Sequence, residues 1–310
     1  MAIIAGVDEA GRGPLAGPVV ASAVVLPEDH PIEGLRDSKK LTPKKREILY
    51  GKIYEFATAI GVGVVDEKEI DRTNILKATH KAMQMALGRL GVLPEKALVD
   101  GYALPNQVIP NEGIIGGDDK VDSIRAASII AKVTRDRMME HYDIIFPEYG
   151  FAKHKGYGTK THIESLNEWK ASPIHRRTFR PVMDYMPTLG WYRKHRRVGM
   201  LGEQLAALFL FNNGHVIRAM NVRCQPYGEI DIISEENDTL IFTEVKTISK
   251  KSLGTPEEKI DELKLSKLEN AIEMYMVENE VKSDVRLDAI TVTLGKGKPI
   301  IKHYKGVELD

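Results

Sequence analysis

The stretch GVDEAGRGPLAGPVVASAVVL, Gly6 to Leu26, decides the fold. An apolar run ends in two adjacent carboxylates, Asp8 and Glu9. Gly11, Gly13 and Gly17 follow, with Pro14 and Pro18 among them, and then a second run of small and β-branched residues. Two strand-like runs around a turn of this composition predict a hairpin. Successive side chains on a strand point to opposite faces, so Asp8 and Glu9 diverge unless the turn re-aims one of them. Glycine supplies the backbone freedom to do so.

Working outward, ATAIGVGVV (Ala57 to Val65) predicts a third strand. In the segment that follows, Ile75, Ala78, Thr79, Ala82, Met85 and Ala86 recur at three- and four-residue steps, with Thr73 or Asn74 as cap and Gly91 as stop, which predicts a helix. ALVDGY is a short buried strand ending in Asp100. Asp118 and Asp119 sit in IIGGDDK, before a second helix that starts at Asp122 or Ser123 and is lined with small residues. These elements predict an α/β layer domain. Acids at strand ends and loop tips, delivered to one sheet edge, suit a hard divalent cation. A pair of such ions can hold both the attacking and the leaving oxygens of phosphoryl transfer. The same residues have a second use, since Asp118, Asp119 or Asp122 could each cap a turn or helix.

The texture changes in PVMDYMPTLGWYRKHRRVG, where prolines, aromatics and the basic run RKHRR separate two patterned regions. The expected organisation is a first domain over 1–188, a basic linker over 189–197 and a second, smaller α/β domain over 198–310. In the second domain GEIDIISEENDTLIFTEVKT predicts a hairpin. Glu244 and Lys246 share one strand face, and a turn near Glu236 and Asn237 would set Asp231 opposite Phe242 or Thr243. Asp231 and Glu244 could then share a divalent ion while Lys246 steadies developing charge.

Lys and Arg number 44, as do Asp and Glu, so a polyanionic partner must be argued from local clusters. With 43% hydrophobic and 28% charged residues the chain reads as globular. It has no apolar run long enough to span a membrane and no secretory pattern at its start, which predicts a cytoplasmic protein. A single cysteine, Cys224, leaves no internal disulfide to form.

GVDEAGRGPLAGPVVASAVVL, LRDSKKLTPKKRE, ALVDGY, GGDDKVDSIRAASIIAKVTRDRMM, HKGYGTKTH and HRRTFRPV occur in this order, and together they resemble the bacterial ribonuclease HII family. The resemblance implies an RNase H-like mixed sheet with flanking helices, and Asp8, Glu9, Asp100 and Asp118 as catalytic, metal-binding acids for two Mn2+ or Mg2+ ions. It implies that Gly11, Arg12 and Gly13 contact the 2′-hydroxyl beside the scissile phosphate, the group that distinguishes RNA from DNA. Tyr157 would stack under the following deoxyribose. Lys39 and Lys40, with Lys153, Lys155, Arg176 and Arg177, would supply positive surface to the duplex. His154 and His175 are expected as loop or phosphate-proximal residues. The implied substrate is an RNA–DNA hybrid or duplex DNA carrying a ribonucleotide, cut on its 5′ side; no protein partner is implied.

LGEQLAALFLFNNGHVIRAMNVRC with the hairpin resembles the YraN-like family, related to the PD-(D/E)xK nucleases of restriction-endonuclease-like fold. That implies Glu203, Asp231, Glu244 and Lys246 as second-domain site residues, with one or more divalent ions. Where that family usually has an arginine after EVK, this chain reads TISKK. Two other functions compete: a non-catalytic nucleic-acid-binding protein, and a branched-DNA nuclease that the first domain recruits.

Overall fold

The computed structural model describes residues 2–249, 262–295 and 297–307. The chain divides into two compact units, Met1–Glu140 with Tyr149–Met186, and His141–Glu148 with Pro187–Asp310.

The first unit is built on the predicted hairpin. β1 (Ile4–Ala10) and β2 (Val19–Val25) pair antiparallel with Asp8 opposite Ser22. α1 (Pro43–Phe56) is capped by Thr42, and β3 (Ala59–Val65) pairs antiparallel with β2. α2 (Glu67–Arg72) precedes α3 (Ile75–Gly88), whose cap is Asn74: its side chain accepts from the Lys77 amide. β4 (Lys96–Asp100) runs parallel to β1, and β5 (Asn111–Ile114) parallel to β4. α4 (Asp122–Ile145), α5 (Phe151–His154) and α6 (Lys160–Trp169) follow. The sheet order is β3-β2-β1-β4-β5.

Helices cover both faces of this sheet. On one, Ala78, Ala82, Met83 and Ala86 of α3 pack with Val7, Ala21 and Val99; on the other, Ala126, Ile130 and Val133 of α4 pack with Val24 and with Leu49 and Ile53 of α1. Small residues allow near backbone contact. A Cβ on Gly63 would lie 2.0 Å from the Ala82 carbonyl, and one on Gly6 would lie 2.1 Å from the Ser123 carbonyl carbon. The start of α4 is thereby pressed against β1, two residues from Asp8.

In the second unit α7 (Leu189–Lys194) starts at Thr188, whose hydroxyl accepts from the Trp191 amide. The stretch expected as a basic linker is therefore helical over six residues. α8 (Val198–Asn212), β6 (Val216–Cys224), β7 (Gly228–Glu236), β8 (Thr239–Ser249), α9 (Glu262–Glu278), β9 (Val285–Leu294) and β10 (Ile300–Tyr304) complete it. The sheet order is β10-β9-β8-β7-β6, with β8 and β9 parallel. Phe242 and Ile230 pack against Leu268 and Ala271 of α9. Among the described residues no helix is long and apolar enough to cross a membrane.

Candidate active site

Asp8, Asp100 and Asp118 each offer a carboxylate oxygen, and these atoms all lie within 4.8 Å of one another. Among the described residues no other group of three metal-competent side chains is this close. The register explains the meeting: β1 and β4 run parallel with Val7 beside Val99, so Asp8 and Asp100 leave neighbouring strands at the same end of the sheet. Asp118 arrives from the loop after β5. There Gly116 takes a left-handed φ of 63° into the 3₁₀ turn Gly117–Asp119. The Gly117 amide donates to Asp100 Oδ1 at 2.7 Å, and a Cβ on Gly117 would sit 2.6 Å from Ile124 Cδ1.

Electrostatically the cluster is dominated by burial and by its own negative charge. Asp8 is buried, and burial first, then the charges of Glu9 and Asp100, push its carboxyl well above the usual carboxylate range. The Glu9 amide donates to Asp8 Oδ1 at 2.6 Å. Burial and then Asp100 and Asp37 raise Asp118 in the same direction. Glu9 is not one of the three-way group and lies 3.6 Å from Arg12 Nη1; burial raises it, Arg12 opposes the rise, and Asp100 adds to it. Asp8 and Asp118, whose carboxyls both resist ionising, meet Asp100 as an oxygen donor set fitted to a hard divalent cation, whose charge replaces their protons.

The basic residues sort differently from the expectation. Lys39 is exposed and faces the carboxylates: desolvation lowers it, but Asp37, Asp8, Asp118 and Glu9 together raise it. Lys40 is paired with Asp119 at 2.6 Å, which occupies the acid next to Asp118, and Lys155 is paired with Glu140 at 2.6 Å. Arg176 belongs to no positive surface. It is wholly buried, donating from Nε to Gly17 O at 3.0 Å, from Nη1 to Arg12 O at 2.8 Å, and from Nη2 to Gly11 O and Pro18 O. Burial and then the Arg135 charge push it down to about 9, so it stays cationic at neutral pH. Arg135 is buried too, donating to Ala16 O, Pro18 O and Lys155 O. Two arginine forks thus hold the glycine-rich turn by its carbonyls.

That turn uses its glycines in two ways. Gly11 has φ 101°, and a Cβ there would lie 2.2 Å from Arg135 Nε, so internal packing excludes a side chain. A Cβ on Gly13 would meet only Tyr157 Cε1, at an ordinary 3.6 Å, leaving room above the turn. Arg12 is exposed and Tyr157 is 45% exposed. His175 is not near the surface either: it is fully buried, its Nε2 lies 2.9 Å from His162 Nε2, and its Nδ1 accepts from the Ser172 amide. His162 Nδ1 in turn donates to Tyr157 O at 2.9 Å. His154 is half-buried, with Nε2 on Tyr149 O.

Sequence patterns did not point to Ser128 or Ser38. Ser128 is among the groups that lower the Asp8 carboxyl against its burial, and its hydroxyl lies 2.8 Å from Ser38 Oγ, so it links a metal-type acid to the turn that carries Lys39. A lone polar residue in the apolar run AASIIA was the available signal.

In the second unit the hairpin turns at Asn237 and Asp238, both at positive φ, one residue later than expected. Ile232 therefore pairs with Thr243, and Asp231 comes abreast of Glu244 instead of Phe242 or Thr243. The Val245 amide donates to Asp231 Oδ2 at 2.7 Å. Glu244 is buried and Lys246 exposed. A Cβ on Gly202 would lie 1.8 Å from Thr247 Oγ1, so α8 lies directly on β8 and brings Glu203 within the field of Glu244. Burial raises Glu203, a hydrogen bond from Asn221 lowers it, and Glu229 and Glu244 raise it further; Asn221 and Glu229 carried no sequence signal.

Residues 5–182 match the family model described as Ribonuclease HII, and residues 202–292 match that described as Uncharacterised protein family UPF0102. Similar curated proteins include Ribonuclease HII of Enterococcus faecalis, 54% identical over 59% of this chain and 71% of that protein. Ribonuclease HII of Coxiella burnetii is 53% identical over 58% of this chain and 89% of its own. Among solved structures, ribonuclease H2 of Pyrococcus horikoshii is 34% identical with a TM-score of 0.51, covering 59% of this chain and 96% of that one. RNase HII of Archaeoglobus fulgidus, solved in a complex with PCNA, is 27% identical with a TM-score of 0.50, covering 61% and 98%.

Proposed function

This chain belongs to the ribonuclease HII family through residues 5–182, and on that premise we propose that it cuts the phosphodiester on the 5′ side of a ribonucleotide, in RNA–DNA hybrids or in duplex DNA, leaving 3′-hydroxyl and 5′-phosphate ends. The first domain is a ribonuclease H with a divalent-metal requirement. The observation that carries the finer reading is the meeting of Asp8, Asp100 and Asp118 beside a turn whose Gly13 is open above.

Asp8, Asp100 and Asp118 would hold Mn2+ or Mg2+, two ions in all, with Glu9 completing the second position. Such ions supply a nucleophilic hydroxide and stabilise the attacking and leaving oxygens. The protein's own part is positioning. The buried Arg135 and Arg176 hold the turn so that Gly11, Arg12 and Gly13 meet the 2′-hydroxyl. Lys39, drawn toward the carboxylates, faces the phosphate, and Tyr157 supports the next sugar.

We assign the chain a ribonuclease HII domain over 1–188, a basic connection over 189–197 and a YraN-like domain over 198–310. Glu203, Asp231, Glu244 and Lys246 form the proposed second site, supported by Asp231 lying abreast of Glu244. Cleavage of an end-labelled DNA duplex with one ribonucleotide, in Mg2+ and separately in Mn2+, tests both assignments. The expected result is one cut 5′ to the ribonucleotide, abolished by Asp8→Asn and unchanged by Asp231→Asn. Cleavage that survives Asp8→Asn would remove the first assignment. Cleavage of branched DNA lost in Asp231→Asn alone would establish the second.

A further inference from the structure

Resting on the ribonuclease reading, we propose that Tyr102 and Ile115 form a second contact surface for the nucleic-acid duplex, on the β4–β5 side of the carboxylates.

The topology places them. In the order β2-β1-β4-β5 the glycine-rich turn and Tyr157 lie on the β2 side of Asp8, and the ends of β4 and β5 lie on the other. The register pairs Asp100 with Ile114, so one strand runs on through Gly101 into Tyr102 and its neighbour runs into Ile115. Tyr102 is two residues past Asp100, and Ile115 three before Asp118. Both project from the edge that carries the reacting groups.

Isolated exposed apolar residues are ordinary. What sets this pair apart is rigid presentation. Tyr102 is 82% exposed and Ile115 62% exposed, yet their backbones are fixed. The Gly101 amide donates to Ile114 O at 2.9 Å, and Gly101 takes a φ of 85°. A Cβ on Gly113 would lie 2.5 to 2.6 Å from Ala103 N, Gly101 O and Tyr102 C, so the turn rests backbone to backbone on β5. Asn111 clamps the neck of this loop, accepting from the Leu104 amide at 2.6 Å and donating to Leu104 O at 3.3 Å. Lys120 Nζ donates to Ile115 O at 2.6 Å and sets a cation beside Ile115.

An aromatic face, an aliphatic side chain and an ammonium together match the sugar faces and phosphates of one strand. The wide, shallow minor groove of a hybrid duplex presents such groups to side chains. The carboxylate cluster fixes where the scissile phosphate lies, so a duplex seated there must continue past this edge or past the Tyr157 edge.

The test uses the full chain and duplexes in which the ribonucleotide is fixed and one flank at a time is shortened. Tyr102→Ala should raise KM about tenfold on the long duplex and leave kcat within about twofold, in the range of a lost aromatic contact. Tyr102→Phe should restore KM. Shortening one particular flank should raise the wild-type KM and cause the variant no further loss. An unchanged KM in Tyr102→Ala, or a defect equal on every flank length, would overturn the contact and assign the patch elsewhere, for example to a protein partner. Fluorescence anisotropy of the labelled duplex in Ca2+ gives the dissociation constant without cleavage. A wild type that binds the duplex in Ca2+ and does not cut it in Mg2+ or Mn2+ would defeat the ribonuclease reading, while the tenfold difference in dissociation constant would still decide the contact.

Discussion

Arg176→Ala tests the claim that the catalytic turn is held from behind. The guanidinium donates to four carbonyls, and Pro18 O keeps Arg135 Nε at 2.9 Å, so three carbonyls (Gly11, Arg12 and Gly17) lose this donor. A buried acceptor left unsatisfied costs about 1–3 kcal/mol. Water entering the vacated space recovers part of this, and the net loss should be about 3–5 kcal/mol. Against a typical total of about 5–15 kcal/mol this is a large fraction, and for a unit of this size it corresponds to a Tm fall on the order of 10 °C. The chain's two tryptophans allow the first unit to be followed alone: Trp169 lies in it and Trp191 in the second, so urea titration in a Trp191→Phe background reports on the first. Cleavage of a ribonucleotide duplex should fall on the order of 100-fold, because the turn is no longer fixed to within an ångström. Arg176→Lys should recover little, since an ammonium cannot spread its donors over the same fork. A loss below about 1 kcal/mol with normal cleavage would refute the argument.

Two further outcomes follow from the site. Burial pushes His162 down to about 4 and His175 well below its usual range, so both fold as neutral rings. Their contribution is complete above the unfolded value near 6.5 and is lost as pH falls toward 4, at about 1.4 kcal/mol per pH unit for each histidine. Asp8 acts with the opposite sign, so the urea midpoint should be measured in Asp8→Asn, where His162→Gln should flatten the acid slope; an unaltered slope would contradict the burial argument. Ser128→Ala should raise the Mn2+ concentration for half-maximal cleavage about tenfold, with the rate at saturating metal near wild type. An unchanged metal dependence would show that Ser128 does not orient Asp8.

The hairpin, the Asn74-capped helix and α4 were legible because each follows a local rule of period or capping. That acids from strand ends and a loop tip meet at one sheet edge was legible from their placement, while the choice of Asp118 over Asp119 came from the family resemblance. β5 was not: NEGI is four residues with no alternation, and only its pairing with β4 makes it a strand. Arg176 in HRRTFR looks like surface charge, because nothing nearby announces the four carbonyls some 160 residues earlier. The hairpin of the second unit shows how little error is tolerated. Moving a turn by one residue moves every cross-strand partner by two, and here the register brings Asp231 abreast of Glu244, where a turn near Glu236 and Asn237 sets it opposite Phe242 or Thr243 and only close to diagonal with Glu244.

The long reach of Arg176 also sets the order in which the enzyme comes into being. All four proposed metal-binding acids have been synthesised by Asp118, and Arg176 follows 58 positions later. At about 5–20 residues per second a ribosome takes roughly 3–12 s to cover that interval. During it the nascent chain carries the complete set of acids and a turn that has neither arginine anchor until Arg135 and only that one from there to Arg176. Competence to cut therefore arrives late in synthesis of the first domain, and a fragment ending between Asp118 and Arg176 keeps the chemistry of the acids without the frame that aims it.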